Sequence, residues 1–260
     1  MKSLRESLLD SNLIGKTDKM IKDEIKAFLK ENYKGEIKIS RKPNSDGKYE
    51  VSSTKDIEVK NQKITSLTNG TFVWSTVDGY FLVRFCKHLE SLEGAPKEVG
   101  GDFKCIDCPS LTSLEGAPEK VGGTFQCYCD SLTSLEGAPK EVGRFFDCSG
   151  CSSLTSLKGA PEKIGSVNFN CSDCKSLKTL EGAPTITREF ICSGCDSLTS
   201  LEGAPKKIML SFNCSGCKSL KSLDYAPKEV GGDFVCGNCK VKFTEDDVKK
   251  VSNVTRNIIC

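Results

Sequence analysis

The sequence has few of the residues from which most enzyme active sites are built. It contains one histidine, His88, among 260 residues, and no Ser/His/Asp, Cys/His or phosphate-loop constellation. Charge of one sign is not in excess either, because 37 Lys and Arg face 35 Asp and Glu, for a formal net charge of +2. That balance does not favour nucleic acid or an anionic membrane as a partner. We therefore predict no catalytic residue, no enzyme activity and no nucleic-acid partner.

Long hydrophobic runs are absent as well. No apolar run approaches the roughly 18–20 residues that a membrane-spanning helix needs. The first residues, "MKSLRESLLDSNLIGKTDK", carry mixed charges and lack the apolar stretch of a secretion signal. We expect a cytoplasmic protein with no signal peptide, transmembrane segment or membrane partner. In such a reducing compartment cysteine thiols remain free.

Cysteine, by contrast, is abundant and periodic. The sequence has 16 cysteines, most of them in C-x-x-C pairs, and a "GAP"-like turn recurs in step with them. The prolines of that turn are Pro96, Pro118, Pro139, Pro161, Pro184, Pro205 and Pro227. Their spacing of 21–23 residues is typical of a solenoid and not of separate zinc modules.

Each repeat has the pattern of one strand followed by two inward-pointing leucines and then the "GAP" turn. Phe103 and Cys105 alternate with Lys104, so the first two should point inward and the lysine outward. Leu111 and Leu114 follow at a spacing that returns apolar side chains to the same interior. One repeat cannot bury this face alone, whereas stacked repeats can. The pattern extends over about ten strand units, from residue 57 to a truncated last unit.

The chain resembles the leucine-rich repeats. "IEVKNQKITSL" carries their strand-and-asparagine pattern, and "CDSLTSL" is similar to the 23-residue bacterial, BspA-like class. The wording "LTSLEGAPKEVGG" is similar to repeat proteins of gut bacteria and their phages. The resemblance implies an α+β fold: a right-handed leucine-rich-repeat solenoid with a parallel β-sheet on one face. It also implies recognition of another macromolecule. The chain departs from the family by placing Cys in the asparagine position of almost every repeat.

The residues before the repeats have different patterns. Ser3 and Glu6 form a capping-box pattern, and Thr17 can begin a helix that runs to about Tyr33. Two alternating segments, near 37–39 and 49–51, predict a β-hairpin. We predict that residues 1–54 form an N-terminal cap of helix and hairpin, since solenoid ends expose apolar core. The alternative is a helix that docks a partner.

The repeats are predicted to occupy residues 55–260. The last coil, residues 240–260, has "TEDDVKKVSN" in place of the "GAP" loop. Thr244 and Asp247 form a helix N-cap pair there, which predicts a short C-terminal capping helix.

Three interpretations of the cysteines remain open. They are a ladder of reduced, buried thiols that pack as small hydrophobic side chains, a disulfide ladder between strands about 4.8 Å apart, or a metal site. We predict the reduced ladder, with no metal and no cofactor. A metal- or redox-responsive protein that uses the C-x-x-C repeats is the alternative function.

The outward strand positions predict where a partner would bind. The early repeats present large or charged side chains there, whereas the later ones present Ser, Asn and Gly. Aromatic residues and Arg commonly anchor protein interfaces. The predicted partner-binding residues are Tyr80, Leu82, Arg84, Asp102, Lys104, Ile106, Tyr128, Phe145 and Asp147.

We therefore predict a monomeric, non-enzymatic binding scaffold for a protein partner, such as a phage or bacterial effector or inhibitor. A carbohydrate is the less favoured ligand. The alternative for these side chains is that they only pack against the N-terminal segment.

Overall fold

The computed structural model describes residues 16–161 and 168–260. The predicted capping box at Ser3 and Glu6 lies outside them. Within the described residues there are two helices, α1 (Asp18–Asn32) and α2 (Glu245–Val251). Strands are numbered in chain order.

An 11-stranded sheet runs the length of the molecule. Its members in spatial order are β1 (Tyr33–Lys34), β4 (Ile57–Val59), β6 (Phe81–Arg84), β8 (Phe103–Ile106), β10 (Thr124–Tyr128), β12 (Phe145–Asp147), β13 (Asn168–Asn170), β15 (Phe190–Ile191), β17 (Phe212–Asn213), β19 (Phe234–Val235) and β21 (Ile258–Ile259). β1 pairs antiparallel with β4, and every other pairing in this sheet is parallel. The ten parallel strands are the ten predicted strand units, stacked in sequence order.

Two further ladders form where the sequence predicted only an inward-pointing Val or Ile. The six-stranded sheet contains β11 (Glu141–Val142), β9 (Lys120–Val121), β7 (Glu98–Val99), β5 (Phe72–Val77), β3 (Tyr49–Ser53) and β2 (Lys38–Ile39). The four-stranded sheet contains β14 (Ile186–Thr187), β16 (Lys207–Ile208), β18 (Glu229–Val230) and β20 (Asn253–Val254). Each coil therefore satisfies backbone groups in two places. Two-residue strands suffice because the same position pairs again in the next coil.

The core is built from columns of identical side chains. Phe103 and Cys105 are fully buried, whereas Lys104 between them is half-buried, as the strand alternation predicts. The phenylalanine rings stack from Phe81 to Phe212, with neighbouring ring centroids 5.1–6.1 Å apart. Leu111 and Leu114 are also fully buried. Parallel register makes each ring meet its own copy, which fixes the coil-to-coil alignment.

Helix α1 packs on the first coil, at the end of the sheet. It begins at the predicted N-cap Thr17, whose hydroxyl accepts a hydrogen bond from the Met20 amide. Ile25 is fully buried, and Phe28 lies against Phe72 with ring centroids 5.7 Å apart. After the helix, Tyr33 enters the main sheet as part of β1, which the sequence did not predict.

The predicted hairpin is present as β2 and β3, which pair antiparallel through Ile39 and Val51. β3 then pairs in parallel with β5, so this segment continues the second sheet of the repeats. The strand after the helix, β1, thus extends the main sheet, and the hairpin extends the second sheet, so both sheets continue from this segment into the coils that follow.

Helix α2 follows the predicted N-cap pair. The hydroxyl of Thr244 accepts from the Asp247 amide, and the Asp247 carboxylate accepts from the Thr244 amide and hydroxyl. The Thr244 hydrogen bonds, followed by Lys250, lower the pKa of Asp247 to about 2. Val248 is fully buried beneath the helix. The molecule is thus a β-solenoid of stacked parallel strands with a helix near each end of its described part. No helix in residues 16–161 or 168–260 combines the length and apolarity needed to cross a membrane.

Candidate functional site

The nine predicted partner-binding residues lie on the outer side of four neighbouring strands, β6, β8, β10 and β12, or directly before them. Parallel register arranges them in three columns that run across the strands. One column contains Leu82, Lys104, Gln126 and Asp147, and another contains Arg84, Ile106 and Tyr128. Tyr80, Asp102 and Phe145 belong to the third column, in which Thr124 pairs with Phe145. We call this set the sheet face.

Polar contacts hold several of these side chains in place. Arg84 forms an ion pair of 2.5 Å with Glu58 of the preceding strand. Lys104 lies 3.3 Å from Asp102, and both are about one-third exposed. Such exposed pairs contribute little stability, about 0–1 kcal/mol each. Their effect here is to fix the positions of charged groups on the sheet face.

Tyr128 and Asp147 form the most buried polar contact of the sheet face. The Tyr128 hydroxyl donates to Asp147 Oδ2 at 2.7 Å and accepts from Gln126 Nε2 at 2.5 Å. Asp147 Oδ1 accepts from the Ser149 amide at 3.0 Å. Burial, and then the Asp147 carboxylate, raise the pKa of Tyr128, so its hydroxyl stays protonated as a donor. Asp147 is only 7% exposed, which corrects the prediction that it is an open contact residue. Asp147 instead holds the Tyr128 hydroxyl in place through their hydrogen bond.

A left-handed residue precedes the second cysteine in each complete C-x-x-C repeat. Positive φ angles between 53° and 71° occur at Phe85, Asp107, Gly150, Asp173, Gly194, Gly216 and Asn238. Gly, Asn and Asp tolerate this conformation, whereas a bulky residue there is an outlier. Phe85, with φ of 58°, is that outlier, and its ring is 42% exposed. Strained residues of this kind cluster at functional sites.

A surface cavity of about 560 Å³ opens beside Phe85, at the edge where the strands of the main sheet end. Phe85 and Tyr128 form its aromatic walls, and Cys108 is part of its lining. Asp107, Asp130 and Asp173 lie on its rim with a single lysine, Lys87. Asp173 is also ion-paired with Lys175 at 2.8 Å, so the carboxylates exceed the ammonium groups by one and the rim is weakly acidic. The cavity thus joins the sheet face to a pocket that could receive a side chain.

Sequence reasoning placed Tyr128 in this region but missed Phe85, Asp107 and Asp130. The signal for Phe85 was present: the residue before the second cysteine is Gly, Asp or Asn in all six complete C-x-x-C repeats, whereas Phe stands before Cys86. Tyr80 is 39% exposed, and the ion pair of Arg84 is with Glu58 of the first coil and not with the helix.

The second cysteines form a hydrogen-bonded ladder. Five of them donate the S–H to the backbone carbonyl of a first cysteine one coil back, at sulfur–oxygen distances of 3.2–3.3 Å. The pairs are Cys151 to Cys127, Cys174 to Cys148, Cys195 to Cys171, Cys217 to Cys192 and Cys239 to Cys214. The thiol therefore does the backbone-bonding work that the resemblance assigns to asparagine at this position. We call this set the thiol ladder.

Burial keeps most thiols of the core neutral. Desolvation raises the pKa of Cys171 and Cys214 well above the usual range, since both lie inside the stack. Contacts with neighbouring thiols lower the pKa of Cys108, Cys151 and Cys217, and for Cys108 these thiols are Cys105, Cys129 and Cys86. Cys108 is also the cysteine that lines the cavity.

No protein-family model, no curated protein and no solved structure matches the chain. The candidate site is therefore argued from its own geometry.

Proposed function

We propose that the chain is a non-enzymatic leucine-rich-repeat scaffold, right-handed and capped at both ends, that binds a protein partner with its sheet face and the adjoining cavity. The observation that carries this proposal is the cavity between Phe85 and Tyr128, one wall of which belongs to a strained residue. A Phe at a position suited to Gly costs folding energy, about 1–3 kcal/mol. Such a cost is expected where the side chain serves a function.

Surface chemistry favours a protein as partner. Arg84, Ile106 and Tyr128 stand in one column and combine a cation, an aliphatic and an aromatic side chain. Tyr and Arg are enriched among residues that dominate binding energy. The acidic rim of the cavity favours a Lys or Arg side chain of the partner, since opposite charges steer association. Binding of an effector or inhibitor type fits these features.

The ends support the role of caps. Ile25 and Phe28 of α1 cover the first coil, and Val248 of α2 covers the last complete one. A solenoid without such cover would expose the phenylalanine column to solvent. A reducing, cytoplasmic location suits the thiol ladder, because its bonds require protonated sulfur.

The proposal is tested by affinity capture from a lysate of the native host, followed by mass spectrometry. The test variant carries Arg84→Ala and Tyr128→Ala together. The matched control is Ile191→Ala, which lies on the outer side of β15, outside the predicted site. We expect a protein captured by the wild type and the control but lost with the double variant. Equal capture by all three, with all three folded, would refute the sheet face as the binding site.

A further inference from the structure

One repeat has a shorter cysteine pair than the others, and this changes the position of its thiols. Cys127 and Cys129 form a C-x-C pair, whereas the other complete pairs are C-x-x-C. The missing residue is the left-handed one that turns the chain before the second cysteine. Two residues apart along a strand, side chains point to the same face. Both thiols of this repeat therefore enter the interior side by side.

Cys105 of the preceding coil completes a group of three. It is the register partner of Cys127, and its sulfur lies 3.8 Å from that of Cys129. All three sulfurs lie within 4.8 Å of one another, and all three residues are at most 1% exposed. Across residues 16–161 and 168–260, no other three His, Cys, Asp or Glu side chains bring their ligating atoms so close.

We propose that Cys105, Cys127 and Cys129 form a three-thiolate binding site for a soft, thiophilic metal ion of the cadmium and mercury type. A thiolate–metal bond is about 2.3 Å long, so three sulfurs around one ion in a plane are about 4 Å apart. The observed sulfur–sulfur distances, 3.8 Å for Cys105 and Cys129 and at most 4.8 Å for the other two pairs, span this value and leave room for an ion larger than zinc. We call the three residues the thiol trio.

The donor set selects the kind of ion. Sulfur ligands without imidazole or carboxylate suit soft ions. Structural zinc almost always takes four ligands, which three buried thiolates do not supply. A divalent ion that displaces three protons gives a complex of charge −1, whereas a monovalent ion would leave −2. Since buried charge is costly, the divalent ion is favoured. The reaction is M²⁺ + 3 RSH → [M(SR)₃]⁻ + 3 H⁺, with the protons released to solvent.

Two features distinguish the trio from other thiols of the core. The bond from Cys129 to the Cys105 carbonyl is stretched to 3.8 Å, against 3.2–3.3 Å in the thiol ladder. Cys108 interacts with both Cys105 and Cys129 and also lines the surface cavity. Cys108 thus places a thiol of the cavity lining next to the trio.

The test is a titration of the reduced, metal-free full chain with Cd²⁺. Binding is followed by thiolate-to-cadmium ultraviolet absorption and by calorimetric stoichiometry. We expect one tight equivalent per chain, bound more strongly than Zn²⁺. Cys129→Ser should weaken it by more than the roughly 10–100-fold that loss of a group orienting a ligand costs. The matched control is Cys195→Ser, which alters the same position in a regular repeat and should keep the tight equivalent.

A second variant keeps every thiol. Inserting one glycine between Tyr128 and Cys129 recreates the regular C-x-x-C repeat found at Cys148 and Cys151. It should fold with a normal circular dichroism spectrum and lose the tight Cd²⁺ equivalent. The proposal is overturned if this variant or Cys129→Ser binds Cd²⁺ as the wild type does. Several equivalents of similar affinity in the wild type would overturn it as well, because they would indicate unspecific thiol binding.

Discussion

Replacing Phe85 by glycine should separate the effect of this residue on folding stability from its effect on partner binding. The left-handed conformation costs a non-glycine residue roughly 1–2 kcal/mol, and glycine returns about 0.5–1 kcal/mol of this as unfolded-state entropy. Full burial of a Phe ring is worth about 1.5–3 kcal/mol, and the Phe85 ring is 42% exposed, so its removal costs roughly 1 kcal/mol. The two effects nearly cancel. We expect Phe85→Gly to change the free energy of unfolding by less than about 1 kcal/mol, while partner binding is lost.

Urea unfolding followed by circular dichroism measures the first quantity, and capture of the partner measures the second. Phe85→Ala removes the ring but keeps the backbone strain, so it should be less stable than Phe85→Gly by up to about 1 kcal/mol. Phe103→Ala provides the scale for a core ring, with an expected loss of about 3–5 kcal/mol. If Phe85→Gly destabilised the protein as much as Phe103→Ala, Phe85 would be a core residue and the argument from strain would be wrong.

Three further predictions address the polar contacts and the thiols. Tyr128→Phe removes the donor to the buried Asp147 carboxylate and should lower the free energy of unfolding by about 1–3 kcal/mol in urea titrations; no loss would mean that water replaces the hydroxyl. Asp247→Asn should destabilise the protein near neutral pH. Because the folded pKa of about 2 lies below the unfolded value of 3.8, the difference from wild type should shrink as pH falls through this range, as thermal melts at several pH values would show. Cys236 and Cys260, whose sulfurs are 2.7 Å apart, should be the first thiols to pair when a small-molecule disulfide is added, giving one protein disulfide and two reduced small thiols. Peptide mapping would reveal the pair, and Cys260→Ser should prevent it.

The periodic part of the fold was predictable because nearly the same residue pattern recurs in every repeat. Phe and Cys alternate with polar residues in each strand, and the structure stacks these strands in the expected order. The N-cap residues Thr17 and Thr244 predicted both described helices, since capping depends on local hydrogen bonds. What could not be predicted was the second set of backbone hydrogen bonds between neighbouring coils. The second ladder through Val99 and Val121 needs two-residue strands, which have no local signal of their own.

The site was predictable only in part, for a related reason. Alternation identifies which residues point outward, and it placed Arg84, Ile106 and Tyr128 together. It cannot show that Asp147 is covered, because that depends on the length of Tyr128 from the neighbouring strand. Nor does alternation identify Phe85 as a site residue, because Phe85 follows the strand and is distinguished by its backbone conformation.

Two neighbouring irregular repeats contain the features on which both proposals rest, and a further deviation, Tyr225 with a φ of 66°, lies outside them. From Cys148 onward, the residue before each second cysteine is Gly, Asp or Asn, and the second cysteines keep their ladder bonds. Between Phe81 and Cys129 one repeat has a strained Phe in the turn and another lacks the turn residue altogether. In each of these repeats one position departs from the residue pattern of the neighbouring coils. Proteins retain such local conflicts mainly at functional sites. The cavity and the thiol trio both arise from these deviations. Restoring regularity at Phe85 should therefore affect the cavity alone, and restoring it at Cys129 should affect the trio, so the two proposals can fail independently.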